Sequence, residues 1–496
     1  MKLGWTGIAL VVFGACGAAG ENTLPSRAPL PPIPLHGMWR VAPADAVASP
    51  PAAVPPDWAE FVTPGAHGDG SNTWFWFVRD VDLGTQATDR VVLLRLESAC
   101  FLCEVWFNGR RCGEAIGGYA PLEMDLTSAA TTGINRLMLR LGSWVTGATN
   151  RYPAPDSLSM SHANHRVGLW QRAEIVLKPP IYLDEGAVLP SVEHKRLRIE
   201  ATVVNTLPTP QKGQVVAIMH EQVATSNAFA LGEAVFALPP IGFETQAGGR
   251  QEVVLEADWP DARLWWPHDP HLYALRIELR PGAPDAADRS DTATLRFGFR
   301  EVRARGADLL LNGQKLVMRG TSMTRYASLN LSKAEARANL QQNLAWSRGN
   351  AVRLHYDPME QYVLDAADEL GVLLLVQSPL LYTIYNERRR SFWDSAQDQW
   401  LRYVRHSRHH PSVIVWAVAN EGTFNDYGIS TPWAPSRRFL MEMAHKTRQV
   451  DPTRPVTSSH DFTLGGASDF FDAVHAWGFE TDQAFPKSAR QWQCFH

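Results

Sequence analysis

The chain has 496 residues, too many for one hydrophobic core and enough for about three domains. Charged residues make up 20% of it and the formal net charge is −4. That balance excludes a basic field that would recruit nucleic acid or anionic lipid, and leaves a neutral substrate as the simplest fit.

Residues 1–20, MKLGWTGIALVVFGACGAAG, place Lys2 before an apolar stretch of about a dozen residues and then small residues, the layout of a secretory signal. Export is therefore expected, to the periplasm, the extracellular space or the cell envelope. The stretch is shorter than the roughly 20 residues that span a bilayer, and no later segment approaches that length. Cys16 follows Phe13, Gly14 and Ala15, as at a bacterial lipoprotein cleavage site, although Phe13 matches poorly. A lipid anchor at Cys16 is the minor alternative to a cleaved signal.

Residues 21–180 open with a proline-rich arm, LPSRAPLPPIPLHG and PADAVASPPAAVPPDW, where proline removes donors and fixes φ. Short alternating runs follow: TWFWFVRDV, RVVLLRLES, CEVWFNG, RLMLRLGSW and RAEIVLK, with Asn108-Gly109 as a turn. These predict a β-sandwich. Cys100 and Cys103 lie three apart in a strand and so point to opposite faces, which argues for buried thiols over a metal or redox pair. A bridge from Cys103 to Cys112 is the alternative in an exported protein. Residues 181–304 carry a second set, RLRIEATVVNT, GQVVAIMHEQ, RQEVVLEADW, HLYALRIELR and TATLRFGFREV, at the spacing of an immunoglobulin-like sandwich.

From residue 305 to 496 strand-like and helix-like segments alternate. KLVMRGTS, NAVRLHY, VLLLVQSP, VIVWAVANEG, PVTSSHD and AVHAWGF are separated by helical runs such as SFWDSAQDQWLRYVRHSR. Continuous apolar strands in βα repeats predict a parallel sheet, and the absence of a Gly-rich phosphate loop favours a barrel. About six strands are countable where a (β/α)8 barrel needs eight. An open sheet edge is avoided in natural proteins, so the chain reads as C-terminally incomplete. The expected fold is thus multidomain β plus α/β: a jelly-roll-like sandwich, an immunoglobulin-like sandwich and an incomplete TIM barrel.

In such barrels the chemistry sits at the carboxyl ends of strands. VIVWAVANEG delivers Asn420 and Glu421 there, NAVRLHY delivers Arg353 and His355, PVTSSHD delivers His460 and Asp461, and AVHAWGF delivers His475 and Trp477. Each alone reads as an ordinary structural residue; four strand ends agreeing indicate a site. An acid beside an amide, an arginine and an aromatic platform suits glycoside cleavage, which also needs a second carboxylate roughly 5–5.5 Å away for retention. Glu480 and Asp482 are poor approximations to it, since neither ends a strand. The histidines show no ligand spacing on one element, so no metal is expected, and RHSRHHP (405–411) reads as the cationic end of a helix. No cofactor is implied.

LHGMW, EVWFNGRRCGEAIGGYAPLEMDLT, HRVGLWQRAEIVL, LWWPHDPHLYALRIEL, FGFREV, LNGQKLVMRG, GNAVRLHYDP, DAADELGVLLL and WAVANEG together resemble glycoside hydrolase family 2 over nearly the whole mature chain. The resemblance implies a retaining exo-β-glycosidase acting on terminal β-glycosidic bonds of an oligosaccharide or glycoside. Glu421 matches the family's acid/base, Asn420 the asparagine that bonds the sugar 2-hydroxyl, and Arg353 an arginine near the nucleophile. The family's nucleophile, a glutamate ending strand seven, matches no position here and is expected beyond residue 496. Ser322 and Thr324 stand where the family has asparagine and histidine, and Trp477 where many members have tyrosine, which argues against a β-galactosidase. The competing reading is a non-catalytic carbohydrate-binding protein, because fold alone does not establish catalysis. A structural or adhesion protein leaves the Asn420-Glu421 strand end unexplained.

Overall fold

The computed structural model of the chain describes residues 30–44, 49–65, 67, 74–85, 87–116, 118, 120–142, 148–149, 152–153, 167–225, 229–282, 290–305, 308–323, 332–355, 360–380, 388–423 and 434–459. The readings placed on Cys16, Thr324, His460, Asp461, His475, Trp477, Glu480 and Asp482 lie outside these residues, as does the expected sixth barrel strand.

Period-two alternation builds the first sandwich. Its six-stranded antiparallel sheet runs in the order Ala59–Thr63, Gly37–Ala44, Trp74–Asp82, Ile134–Gly142, Leu102–Phe107, Arg110–Ile116. Phe75, Phe77, Val105, Leu137 and Leu139 point inward, against Val92, Leu94 and Ile175 of a four-stranded sheet. The alternate residues Trp76, Val78, Trp106 and Met138 cover the reverse face and pack under Val54 and Trp58 of the proline-rich arm. Both faces are therefore apolar because both are covered.

Cys100 and Cys103 belong to different apolar clusters, as their spacing requires. The alternative of a Cys103–Cys112 bridge is not realised: both are free thiols, Cys103 buried. Burial and the Glu104 carboxylate push the Cys103 thiol up to about 12, so it behaves as a small apolar core residue.

The second sandwich faces a three-stranded sheet (Ile181–Ser191, Arg196–Asn205, Arg250–Asp258) against a sheet of Phe229–Ala237, Gln211–Ala224, Tyr273–Pro281 and Asp291–Phe297, with Ile241–Thr245 also pairing Gln211–Ala224. Val203, Leu197, Ala217, Leu275 and Ile277 fill the space between them.

The third region alternates β1 (Gly320–Met323), α1 (Lys333–Ser347), β2 (Ala351–Leu354), α2 (Gln361–Leu370), β3 (Leu373–Gln377), α3 (Arg390–Ser407), β4 (Val413–Asn420), α4 (Arg437–Val450) and β5 (Val456–Ser459). The five strands are parallel and adjacent in chain order. Helix α1 begins at a capping box, Ser332 with Glu335. Helix α2 ends on Gly371 at φ +70°, and a Cβ there would lie 2.0 Å from the Pro267 carbonyl oxygen, so only glycine fits both the left-handed cap and the second sandwich pressed against it.

Every strand of this sheet has two buried faces. Val352, Leu374, Val376, Trp416 and Val418 pack against the helices through Leu364, Trp393, Trp400 and Leu440. Ala351, Leu373, Leu375, Val415 and Ala417 point the other way and meet Trp265, Leu309, Leu311 and Met318. The hairpin of Val302–Arg305 and Asp308–Leu311 thus closes the amino-terminal end of the sheet with apolar side chains. Among the described residues ten tryptophan side chains are buried, so filling the cores is their main role.

Buried arginines tie the second sandwich to the barrel region. Arg296 Nη1 donates to Glu369 Oε1 at 2.6 Å and Nη2 to Asp365 Oδ1 at 2.5 Å. Arg300 donates to the carbonyls of Pro411 and Val413, 3.0 and 2.9 Å away, at the start of β4. These contacts set where β4 begins, and a register irregularity between Ala417 and Asn420 precedes the point where the candidate acid emerges.

Candidate active site

All eight residues of β4 are buried, so its polar groups must be matched within the protein. Trp416 Nε1 donates to Asp451 Oδ2 at 2.8 Å, and Arg454 Nη1 lies 2.5 Å from the same oxygen. Burial works to raise the Asp451 carboxyl, but Arg454, Thr453 and Trp416 outweigh it and hold it below the ordinary value. The middle of the strand is fixed by a charged, fully satisfied network.

At the carboxyl end Asn420 is 3% exposed. Its N–H donates to the Leu380 carbonyl at 2.8 Å, and it pairs with Ser459 on β5. Its side-chain oxygen accepts from Nη2 of Arg353, a fully buried arginine on β2. The pair spans the end of β3, which lies between β2 and β4. Sequence named both residues but not their contact, which depends on the register of three strands.

Glu421 follows, half-buried, at φ +56°. A left-handed backbone costs a non-glycine residue about 1–2 kcal/mol, so its surroundings must enforce it. On one side Asn420 is held as described. On the other, Gly422 presents its carbonyl to the buried Ser436 Oγ at 2.7 Å, just before α4. Five other non-glycine residues among those described share this backbone region, Asp89, Asn108, Lys195, Asn312 and Arg348; Glu421 is the one that directly follows a buried parallel strand.

Period two places Ser322, Arg353 and Gln377 on the interior face, since the alternating Met323, Leu354 and Val376 pack toward the helices. Gln377 is fully buried at the end of β3, and Ser378 Oγ donates to the Val418 carbonyl at 2.5 Å. Neither was singled out from sequence, although a glutamine closing the apolar run LLLV was a readable signal. His355 stands one residue past β2, its N–H donating to the Met323 carbonyl at 2.9 Å. The structure therefore brings together Arg353, Asn420 and Glu421, with Gln377 between, and places His355 at the neighbouring strand end.

One group of metal-ligand type occurs among the described residues: Asp365, Asp368 and His410, with ligand atoms within 4.8 Å of one another. It sits at the amino-terminal side of β4. Asp368 Oδ2 lies 2.6 Å from His410 Nδ1, Oδ1 accepts from Ser412 N–H at 3.0 Å, and Arg296 Nη2 lies 3.3 Å from Oδ2. Burial raises the Asp368 carboxyl, and His410, Arg296 and Ser412 more than compensate, leaving it below its ordinary value. The Arg296 guanidinium occupies the cation position of this cluster, so it is an interdomain clamp rather than a metal centre. The segment 405–411, read as a cationic helix end, has Arg405 and His406 in the last turn of α3, but desolvation lowers the His406 and His409 imidazoles and His410 turns inward, so the arginines and not the histidines supply charge there.

Residues 182–300 match the family model described as "Glycosyl hydrolases family 2", and residues 302–488 match that described as "Glycosyl hydrolases family 2, TIM barrel domain". The chain belongs to glycoside hydrolase family 2. This family 2 chain is 25% identical over 419 residues to a β-glucuronidase of Rattus norvegicus, covering 77% of this chain and 58% of that protein. It is 23% identical over 394 residues to a β-glucuronidase of Paenibacillus borealis, covering 74% and 60%. Among solved structures it resembles β-glucuronidase of Bacteroides uniformis, with TM-score 0.72 and 19% identity over 86% of this chain and 52% of that one. It also resembles a β-galacturonidase of Eisenbergiella tayi bound to galacturonate, with TM-score 0.68 and 19% identity over 86% and 71%. At these identities the structures show a shared fold. The chain spans about 60% of the length of the curated relatives it matches.

Proposed function

We propose that this family 2 chain carries the acid/base half of a retaining exo-β-glycosidase that cleaves terminal β-glycosidic bonds of oligosaccharides or glycosides. The observation that carries the reading is the Asn420-Glu421 strand end, with Asn420 locked by Arg353 and Glu421 held at φ +56°. Glu421 protonates the glycosidic oxygen as its bond to the anomeric carbon breaks, then accepts a proton from the water that releases the sugar. In this reading Asn420 bonds the sugar, the buried Arg353 holds Asn420 toward it, and His355, His475 and Trp477 are assigned to substrate binding. The nucleophilic carboxylate, about 5–5.5 Å from the acid in a retaining enzyme, is not assigned to a residue. Relatives named as β-glucuronidases and a β-galacturonidase favour a substrate carrying a carboxylate over the neutral one that net charge suggested.

The same reading keeps 1–20 as a signal, 21–180 as a sugar-binding-type sandwich, 181–304 as an immunoglobulin-like sandwich and 305–496 as catalytic barrel. Export, with a lipid anchor at Cys16 as the alternative to signal cleavage, belongs to it as well. The test is a panel of 4-nitrophenyl β-glycosides, uronides beside neutral hexosides, offered to the chain and to the product of the complete reading frame that contains it. Release from a uronide with the β-anomer seen first by proton NMR is expected. Saturable glycan binding without release from any member would instead favour the carbohydrate-binding reading.

A further inference from the structure

The second sandwich carries a pocket of about 240 Å³ walled by Glu221, Gln222, Arg263, Asp269 and His271. Glu221 belongs to the strand Gln211–Ala224 and pairs there with Tyr273 of Tyr273–Pro281. On its other side the pairing with Phe229–Ala237 shifts register between His220 and Gln222, and Glu221 has no partner in that strand. Such a bulge re-aims side chains, and here two consecutive residues, Glu221 and Gln222, reach one pocket.

His271 stands two residues before the neighbouring strand. Its N–H donates to the Asp269 carbonyl at 2.8 Å, and its ring meets the Tyr273 ring edge-on at 4.6 Å. Tyr273 is held in turn, its hydroxyl accepting from the Arg263 N–H at 2.8 Å. The His271 side chain is only 10% exposed, and its Nε2 is buried without a hydrogen-bond partner. Nε2 of Gln222 is likewise buried and unpartnered, so two polar atoms of this pocket lack the partners that buried groups need.

The His271 Nε2 faces Glu221 Oε2 across 3.4 Å. A hydrogen bond closes to about 2.7–3.2 Å. Bonds of about 2.0–2.2 Å to a tetrahedral ion place two ligand atoms about 3.3–3.5 Å apart, which is the separation found. Burial lowers the His271 imidazole from its ordinary value more than the Glu221 carboxylate raises it, which favours the neutral, ligating ring. Arg263, the cation lining the pocket, is taken by Asp269 at 2.6 Å, and no lysine or arginine pairs with Glu221 among the described residues. The Asp365 group differs in this respect, because Arg296 fills its cation position.

We infer that His271 Nε2 and Glu221 Oε2 are the two protein ligands of a divalent transition-metal site of the zinc class, with water completing the coordination. An imidazole beside one carboxylate suits zinc, whereas magnesium and calcium take oxygen ligands. The ion ties the turn before Tyr273–Pro281 to the bulged strand Gln211–Ala224.

The test is calorimetric titration of the full chain, stripped of metal with EDTA and dialysed, with zinc chloride at neutral pH. Two protein ligands give modest affinity, so one equivalent is expected to bind with Kd on the order of 10–100 µM. That equivalent should weaken about tenfold or more in His271→Ala and separately in Glu221→Gln. The exposed pair His194 and Glu193, 4.0 Å apart, is the control, and His194→Ala should leave binding unchanged. Circular dichroism establishes that each variant is folded; Glu221 is 44% exposed, so Glu221→Gln keeps the test decisive should His271→Ala misfold. No saturable zinc binding below about 1 mM, undiminished binding in the folded His271 and Glu221 variants, an equal loss in His194→Ala, or magnesium binding as tightly as zinc would overturn the inference.

Discussion

Replacing Asp368 with alanine tests how the barrel is fastened to the second sandwich. The side chain is fully buried and takes three contacts, from His410, Ser412 and Arg296. Removing one partner of a buried ion pair costs about 3–5 kcal/mol, because the other charge is left without compensation. Arg296 keeps Asp365 at 2.5 Å and Glu369 at 2.6 Å, so the loss belongs near the lower limit, about 3 kcal/mol. Urea unfolding followed by tryptophan fluorescence reads it, since Trp393, Trp400 and Trp416 are buried in the barrel core. With a slope of about 2–3 kcal/mol/M, the midpoint of that transition should fall by about 1 M or slightly more. Arg296→Ala combined with Asp368→Ala should cost less than the sum of the two, because both changes break the same contact. A midpoint shift under about 0.3 M in Asp368→Ala would refute the clamp, since it equals less than 1 kcal/mol at that slope.

Gly371→Ala should cost at least about 1–2 kcal/mol from the left-handed φ alone, which lowers the same midpoint by about 0.3–1 M, with the Pro267 carbonyl contact adding to it; a neutral effect would show that α2 and the second sandwich do not press together as described. The folded chain should leave Cys100 and Cys103 unreactive to a thiol reagent at pH 8 while Cys112 reacts, and dithiothreitol should not change its melting temperature, because these three thiols are free and burial suppresses the Cys103 thiolate. Asp368 and Asp451 both titrate below their ordinary value of 3.8 when folded, so the stability they contribute is complete above that value and is lost as pH falls through their folded-state values. Their contribution to the melting temperature should therefore be constant from pH 7 to about 5 and decline below about pH 4, a decline that Asp368→Asn should reduce.

The layers of this fold were legible because apolar spacing reports burial directly. TWFWFVRDV and RLMLRLGSW alternate as strands, and VIVWAVA is apolar throughout because helices cover one face and the plugging hairpin the other. Asn420, Glu421 and Arg353 were legible as strand-end polar residues. Their arrangement was not: the Arg353–Asn420 contact exists only once β2, β3 and β4 are in register, and the left-handed turn at Glu421 carries no glycine to announce it. The Arg296 clamp was equally hidden, since an arginine in LRFGFREV reads as solvent-facing until α2 supplies Asp365, Asp368 and Glu369 from about 70 residues away in the chain. His410 shows the converse, a residue counted among helix-end cations that packs against a buried carboxylate.

The most direct measurement of the central claim compares Glu421→Gln with the unaltered sequence, in the product of the complete reading frame, on two substrates of the same sugar: a 2,4-dinitrophenyl glycoside, whose leaving group needs no proton, and a phenyl glycoside, which does. If Glu421 is the acid/base, kcat/KM for the phenyl glycoside falls by about 10²–10⁴, the dinitrophenyl glycoside loses far less, and added azide restores turnover of the latter as a β-glycosyl azide. Equal losses on the two substrates, or no loss on either, would contradict the assignment.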